Sequence, residues 1–243
     1  MSQPVLVGVG MGPGDPDLVT IGGVRRLETA DVVVVPVLDL AEMGRAEATV
    51  WAHITHGRVE RVVFALNERT DRTRRENAWD AAADVIAGHF TAGRDIVAFA
   101  TIGDPNVYAT FGYLAQGVRD RVPGVRIETV PGITAMQDLA SRSGTVLCEG
   151  TEVLTLIPGT AGMDALRAAL VGTDPVVVYK IGDRLTAVIE LLDQAGRLSG
   201  AVLGERLGLP DELIRPLDLT AGPAPYLATL LVPGLRATRG GKL

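Results

Sequence analysis

Cysteine, histidine and lysine are all scarce in this chain, and each scarcity excludes something. A single cysteine, Cys148, rules out an intramolecular disulfide framework, and its apolar neighbours mark it as a packed core thiol. His53 and His56 stand three apart, a spacing for a ligand pair on a helix, but only His89 remains beside them, so no metal site is expected. Lysine occurs only as Lys180 and Lys242 among 23 basic residues, and the net charge is −6. That balance lacks the positive footprint of loose nucleic-acid binding. The longest apolar stretch, Val32 to Leu38, holds a proline and falls far short of the roughly 20 residues of a membrane span. The start, Met1-Ser2-Gln3-Pro4, lacks the charged and apolar regions of a secretory signal. Internal repeats, low-complexity linkers and long charge runs are missing too. What remains at 243 residues and 47% hydrophobic composition is a soluble, cytoplasmic globular protein, an enzyme of one large α/β domain or two small ones.

Arginine stands where lysine is missing. It forms bidentate pairs with carboxylates, so a ligand with many carboxylates suits this composition, which a GC-rich genome also produces.

Along the chain, strands and helices alternate. Val5 to Val9 is an apolar strand running into Gly8-Val9-Gly10-Met11-Gly12-Pro13-Gly14-Asp15-Pro16. A helix over Asp17 to Thr29 follows, with Leu18, Ile21, Val24 and Leu27 at helical spacing, and then the buried strand Val32-Val33-Val34-Val35. Further strands are expected at Arg61 to Ala65, Asp95 to Ala100 and Val125 to Val130, with helices at Ala78 to Phe90, from after Tyr108 to Arg121, and up to Ser143. Beyond these, Leu154 to Ile157, Pro175 to Tyr179 and Tyr226 to Val232 read as strands, the last as an edge or a strand start after Pro223 and Pro225. Helices at Ala165 to Leu170 and Leu185 to Ala195 lie between them. A break at Pro123-Gly124 suggests two lobes, 1–122 and 123–243, each with five parallel-type strands.

Three loops at strand ends draw notice. In the first, the G-x-G-x-x-G fingerprint counted from Gly8 puts Pro13 where the third glycine belongs, and proline brings no N–H to a phosphate cradle. No Gly-Lys-Ser/Thr occurs either, so there is no P-loop. The second, Gly103-Asp104-Pro105, follows a buried strand and precedes a helix, where open α/β sheets bind ligands. In the third, Pro131-Gly132-Ile133-Thr134-Ala135, free N–H groups and the Thr134 hydroxyl could hold polar parts of a ligand or simply cap the helix. One of Tyr108 and Tyr113 is expected in the core, and Gly144 and Gly150 read as turns.

In order and spacing these segments resemble the tetrapyrrole methylase family over nearly the whole chain. The resemblance rests on Val9 to Pro16 with Leu18-Val19-Thr20, Ala30-Asp31-Val32-Val33, Gly103-Asp104-Pro105 with Tyr108, and Val130 to Ala135. Within the family, Gly103 to Thr110 with Tyr113-Leu114, Gly150-Thr151-Glu152, Leu156 to Thr160, Arg206 to Pro210, Gly222 to Val232, Val35-Pro36-Val37 and Trp79 resemble the subgroup that methylates C20 of precorrin-2. The resemblance implies a two-lobed α/β fold, each lobe a largely parallel or mixed sheet flanked by helices, with an active-site cleft between the lobes. It implies S-adenosyl-L-methionine as methyl donor without a metal, precorrin-2 as substrate, precorrin-3A as product in cobalamin biosynthesis, and a homodimer. A sister tetrapyrrole methylase, an rRNA-methylating relative and a non-catalytic binding protein stay open beside it.

Carried over by position, the resemblance implies that Ile102, Gly103, Asp104 and Val107 contact the amino-acid and ribose part of the donor. Thr134 and Ala135 meet its methionyl or ribose portion, Lys180 or Ile181 and Gly208 or Leu209 flank the adenine, and Pro13 closes the site beside the methyl group. Gly12, Gly14 and Asp15 border the tetrapyrrole trough. Some relatives place an acid just after the second strand, where this chain has Pro36, so no catalytic base is assigned, and Asp39 and Glu42 read as solvated turn residues. Arg58, Arg61, Arg69, Arg72, Arg74 and Arg75, with Asn67 and Asn77, are candidates for the substrate carboxylates.

Overall fold

The structure, a computed structural model, describes residues 3–55, 57–64, 71–238 and 240. The chain divides into two compact units, Met1–Thr134 and Ala135–Leu243.

The first unit is built on β1 (Val5–Gly10), β2 (Val32–Val37), β3 (Val59–Val63), β4 (Ile96–Thr101) and β5 (Arg126–Val130), in the order β3-β2-β4-β1-β5 and parallel throughout. β1 and β2 are buried along their whole length, as a parallel sheet covered on both faces requires. One face packs Leu6, Val34, Val97 and Phe99 on the helices α3 (Arg72–Thr91) and α4 (Phe111–Arg121). The other packs Val7, Val33, Val35 and Ala98 with Leu27 of α1 (Ile21–Thr29) and Val50 of α2 (Arg45–Trp51). Gly8 is a packing position, because a Cβ there would lie 2.6 Å from the Phe111 ring. Pro36 survives inside β2 for a geometric reason. Val33 N–H donates to Arg58 and Val37 C=O accepts from Phe64, so alternate residues face β3 and Pro36 turns its nitrogen toward β4. There the ladder has already ended at the Val34–Phe99 pair.

The helical starts differ from the spacing-based expectation. Asp15 caps a short 3-10 turn, Pro16–Leu18, and α1 begins only after Thr20, whose hydroxyl accepts from Gly23 N–H. Ile21 is consequently exposed instead of packed. α3 starts at Arg72, not Ala78, because the Asp71 carboxylate accepts Arg74 N–H and Arg72 pairs with Glu76 one turn on. α2 was not expected from the sequence. Its buried Glu47 accepts Arg61 Nε with both oxygens, at 2.9 and 2.8 Å, and Trp51 Nε1 at 3.2 Å.

The second unit holds β6 (Thr155–Pro158), β7 (Val176–Tyr179), β8 (Val202–Glu205), β9 (Leu213–Pro216) and β10 (Thr229–Val232), in the order β6-β7-β10-β8-β9. Here the expectation of five parallel-type strands fails: only β6 and β7 run parallel, and the other pairs are antiparallel. β10 is the middle strand and not an edge, since Pro223 and Pro225 stop short of it and Ala228 N–H closes a turn on Pro225. The helices α6 (Met163–Leu170) and α7 (Leu185–Gln194) bury Leu166, Leu170, Val188 and Leu192 against Val178, Leu203 and Leu230. The first helix of the unit, α5, is Ala135–Ser143. Although β5 follows the break read at Pro123, it pairs with β1 and belongs to the first sheet, so the first unit runs on to Thr134.

Arg197 closes the bottom of the second unit. It is 1% exposed and donates to the carbonyls of Leu170, Gly172, Asp174 and Pro233 at 3.3, 2.6, 2.8 and 2.8 Å. Burial pulls its guanidinium pKa below the ordinary value, with Asp174 opposing the shift.

Candidate active site

In the first unit β4, β1 and β5 lie side by side, and their carboxyl ends carry the three glycine loops. The loops are locked to one another by backbone. Gly103 N–H donates to Gly12 C=O at 2.7 Å, and Met11 N–H donates to Thr101 C=O at 2.9 Å. Gly10 and Gly132 touch so closely that a Cβ on Gly132 would lie 2.0 Å from Gly103 O and 2.8 Å from Gly10 Cα. No other residue fits at those two positions. Gly103 differs: its φ is +70° and a Cβ there would meet nothing within 4 Å, so its backbone borders open space. The glycines therefore divide into two that seal the loops and one that leaves a cradle open.

Asp104 joins the second loop to the third. It is 9% exposed, and its two oxygens accept Asn106 N–H at 2.8 Å and Gly132 N–H at 3.1 Å. Ile102 and Val107 lie half-buried in the same loop, Pro13 is buried in the first, and Gly12 is held by the bridge to Gly103. Asp15 is spent on capping, accepting Asp17 N–H at 3.0 Å while Gly14 stands beside it. His53 Nε2 lies 2.8 Å from Pro16 O, so this imidazole braces the first loop, and its expected companion His56 lies outside the described residues. Thr134 is buried at the end of the unit.

The second unit brings its own candidates to one end of its sheet. Tyr179, Thr229 and Gly204 stand in register across β7, β10 and β8. Just beyond this row come Lys180 and Ile181 on one side and Gly208 and Leu209 on the other. The Tyr179 hydroxyl accepts Met136 N–H at 2.9 Å and so fixes the start of α5, where Ala135 stands. Gly159 abuts Lys180 and Ile181 so tightly that a Cβ would lie 2.7 Å from Lys180 O. The ammonium of Lys180 sits 5.9 Å from the Tyr226 ring centroid.

Backbone strain marks the same loops. Among the described residues, Tyr108, Lys180 and Arg206 are the non-glycine residues with positive φ, at 49°, 56° and 50°. They follow β4, β7 and β8 respectively, and such strain persists where surrounding structure over-determines it, as at ligand sites.

Several expectations are corrected. Cys148 is exposed, not packed, because the 144–154 segment forms a loop over the second sheet and not a strand within it. Both tyrosines are exposed: Tyr108 precedes α4, and Tyr113 stacks on Trp79 at 4.5 Å between ring centroids. Arg61 is occupied by Glu47 and the Leu40 carbonyl, and Arg72 by Glu76, whereas Asn67 and Arg69 lie outside the described residues. Asp39 and Glu42 are exposed in one turn, with Glu42 N–H donating to Asp39 C=O, as read. Gly144 and Gly150 take positive φ in turns. Tyr179, Glu212 and Arg142 were not singled out from sequence. The only signal for Tyr179 is its place just before Lys180.

Comparison with known proteins gives a consistent result. The family model for Tetrapyrrole (Corrin/Porphyrin) Methylases matches residues 5–221. The chain is 33% identical over 237 residues to the Precorrin-2 C(20)-methyltransferase of Sinorhizobium sp, covering 94% of this chain and 95% of that one. It is 29% identical over 231 residues to the Cobalt-precorrin-2 C(20)-methyltransferase of Salmonella typhimurium, covering 93% and 95%. The crystal structure of uroporphyrin-III C-methyltransferase from Thermus thermophilus, complexed with S-adenyl homocysteine, shares the fold at a TM-score of 0.65 and 23% identity, covering 94% and 97%.

Proposed function

The chain belongs to the tetrapyrrole methylases, and from that premise we propose that it transfers a methyl group from S-adenosylmethionine to C20 of precorrin-2, giving precorrin-3A for cobalamin biosynthesis. The observation that carries this reading is the similarity to a precorrin-2 C20-methyltransferase along 94% of the chain, with the three interlocked loops intact. The residues present fit such a donor. Gly103 leaves backbone open beside the sheet's carboxyl end, and Gly10 and Gly132 hold that backbone still.

When bound, S-adenosylmethionine supplies a methyl group on a sulfonium, an electrophile that needs no further activation. The chain then has to align and enclose. Ile102, Gly103 and Val107 border the donor's amino-acid and ribose part, and Asp104 serves by fixing the two loops, since both its oxygens are taken by backbone N–H groups. Thr134 and Ala135 receive the methionyl or ribose portion, while Lys180, Ile181, Gly208 and Leu209 flank the adenine. Pro13, buried in the first loop, closes the site beside the methyl group, and Gly12, Gly14 and Asp15 border the tetrapyrrole. Rigidity of these loops supplies catalysis by positioning, which suits a displacement that needs three atoms in line.

The Salmonella relative favours a second reading, in which the tetrapyrrole carries cobalt. Offering the chain both forms of precorrin-2 anaerobically, with mass spectrometry of the ring, separates the two. Faster methylation of the metal-free ring is expected, and a preference for the cobalt form would replace the first reading by the second. We take the enzyme to work as a homodimer, and a monomer mass by light scattering would remove that part. We place it in the cytoplasm, where a lone exposed thiol such as Cys148 stays reduced.

A further inference from the structure

The loop between β8 and β9 contains two left-handed residues, Arg206 at φ +50° and Gly208 at φ +73°. Leu209 N–H donates to Arg206 C=O and Glu212 N–H to Leu209 C=O, both at 3.0 Å, which closes two successive turns. These bonds leave Gly208 N–H over, and the Glu212 carboxylate takes it: Oε2 accepts from Gly208 N at 2.7 Å. The other oxygen, Oε1, accepts from Arg142 Nη1 at 3.2 Å. Arg142 Nε in turn donates to Oδ1 of Asp138 at 2.7 Å, one turn earlier on α5. Asp138 is only 4% exposed and its second oxygen has no hydrogen-bond partner, so Arg142 is committed to a buried charge and cannot swing away without cost. Beneath this chain of contacts Gly204 faces Leu139, with room for no Cβ (2.8 Å to Leu139 Cδ1). Charge at Glu212 thus ties the loop to α5, and packing at Gly204 holds the strand that leads into it against the same helix.

We propose that Glu212 is a positioning residue for the methyl donor. It holds the Gly208–Leu209 backbone at a fixed place relative to α5 so that the adenosine end finds a preformed slot. This rests on the assignment of Gly208 and Leu209 to the adenine made above. An unbraced loop with two left-handed residues would sample other turns, and the donor would have to order it on binding.

The test is isothermal titration of the full chain with S-adenosylhomocysteine, and with adenosine as competitor, for wild type, Glu212→Ala and Glu212→Gln. Glu212→Ala is expected to weaken both ligands about tenfold, the loss of one charge-assisted hydrogen bond. The KM for the tetrapyrrole should stay unchanged. Glu212→Gln keeps an acceptor for Gly208 N–H and should restore most of the affinity, a rescue that general loosening of the fold would not show. Wild-type affinity in Glu212→Ala, or equal losses in both variants, would overturn the proposal while leaving the methyl-donor reading intact. Failure of the wild type to bind either ligand would overturn both.

Discussion

At Gly132 the demand is steric and absolute. A methyl group added there would sit 2.0 Å from Gly103 O, and no flexible side chain can move aside to admit it. Gly132→Ala is therefore expected to cost more than about 3 kcal/mol of stability or to push the second and third loops apart. If the variant folds, an ångström-scale displacement should lower kcat by about a hundredfold, measured by methyl transfer. Asp31 is a different kind of residue. Its Oδ2 accepts Ile96 N–H and Asp95 N–H at 2.9 Å each, joining the start of β2 to the start of β4. The bond from Ile96 is the main cause that holds its pKa below the ordinary 3.8, with burial opposing it. Because the folded value is lowered, the stabilisation is complete above the unfolded carboxyl pKa and is lost as pH falls through the folded one. Urea unfolding of Asp31→Asn should show a deficit of about 1 kcal/mol at neutral pH that shrinks on acidification below 3.8. The roles of Gly132 and Asp31 differ in how legible they were. The glycine loops announced themselves by density after apolar strands, whereas the bond from Asp31 to β4 spans 65 residues of sequence and leaves no local pattern.

At the scale of elements, the second unit depends on a buried cation whose hydrogen bonds go to backbone carbonyls. Arg197 binds four carbonyls from the end of α6, the following turn and the stretch after β10, where Leu235 N–H also donates to Thr173 C=O. Arg197→Leu would strip the donor from the buried Leu170 carbonyl and from the part-buried bonds to Gly172, Asp174 and Pro233. A loss of at least about 3 kcal/mol is expected, with the amides of Gly172, Thr173, Asp174, Gly234, Leu235 and Arg236 the first to gain hydrogen exchange. Unchanged exchange there would mean that water replaces the guanidinium at no cost. The central parallel strands β1, β2 and β4 were readable because burial on both faces leaves continuous runs such as Val32 to Val35. β9 was not readable, since Leu213-Ile214-Arg215-Pro216 is half-exposed at a sheet edge and has neither a run nor clean alternation. α2 escaped for a related reason: it is a short helix with only Ala46 and Val50 in the core, and its buried Glu47 is answered by Arg61, 14 residues on. Direction was the other hidden quantity, because hydrophobic runs do not say whether neighbouring strands of the second sheet run parallel or antiparallel.

Taken over the whole molecule, the two units answer to different constraints. In the first, backbone closes on backbone at three strand ends, which needs glycine and shows in the sequence. In the second, side chains from separate segments (Tyr179 on the start of α5, Glu212 on Gly208) set the loops, and while a resemblance pointed at Ala135 and Gly208, the side chains that hold them were not singled out from the sequence. Pro36, where some relatives carry an acid, offers no proton-transferring group after the second strand, so no base is assigned there from the sequence. The decisive measurement is anaerobic incubation of the chain with precorrin-2 and S-adenosylmethionine carrying an isotope-labelled methyl group, followed by NMR of the isolated ring. One labelled methyl at C20 is the expected result. A labelled methyl at any other ring carbon, or an unmodified ring from an enzyme that binds the donor, would contradict it.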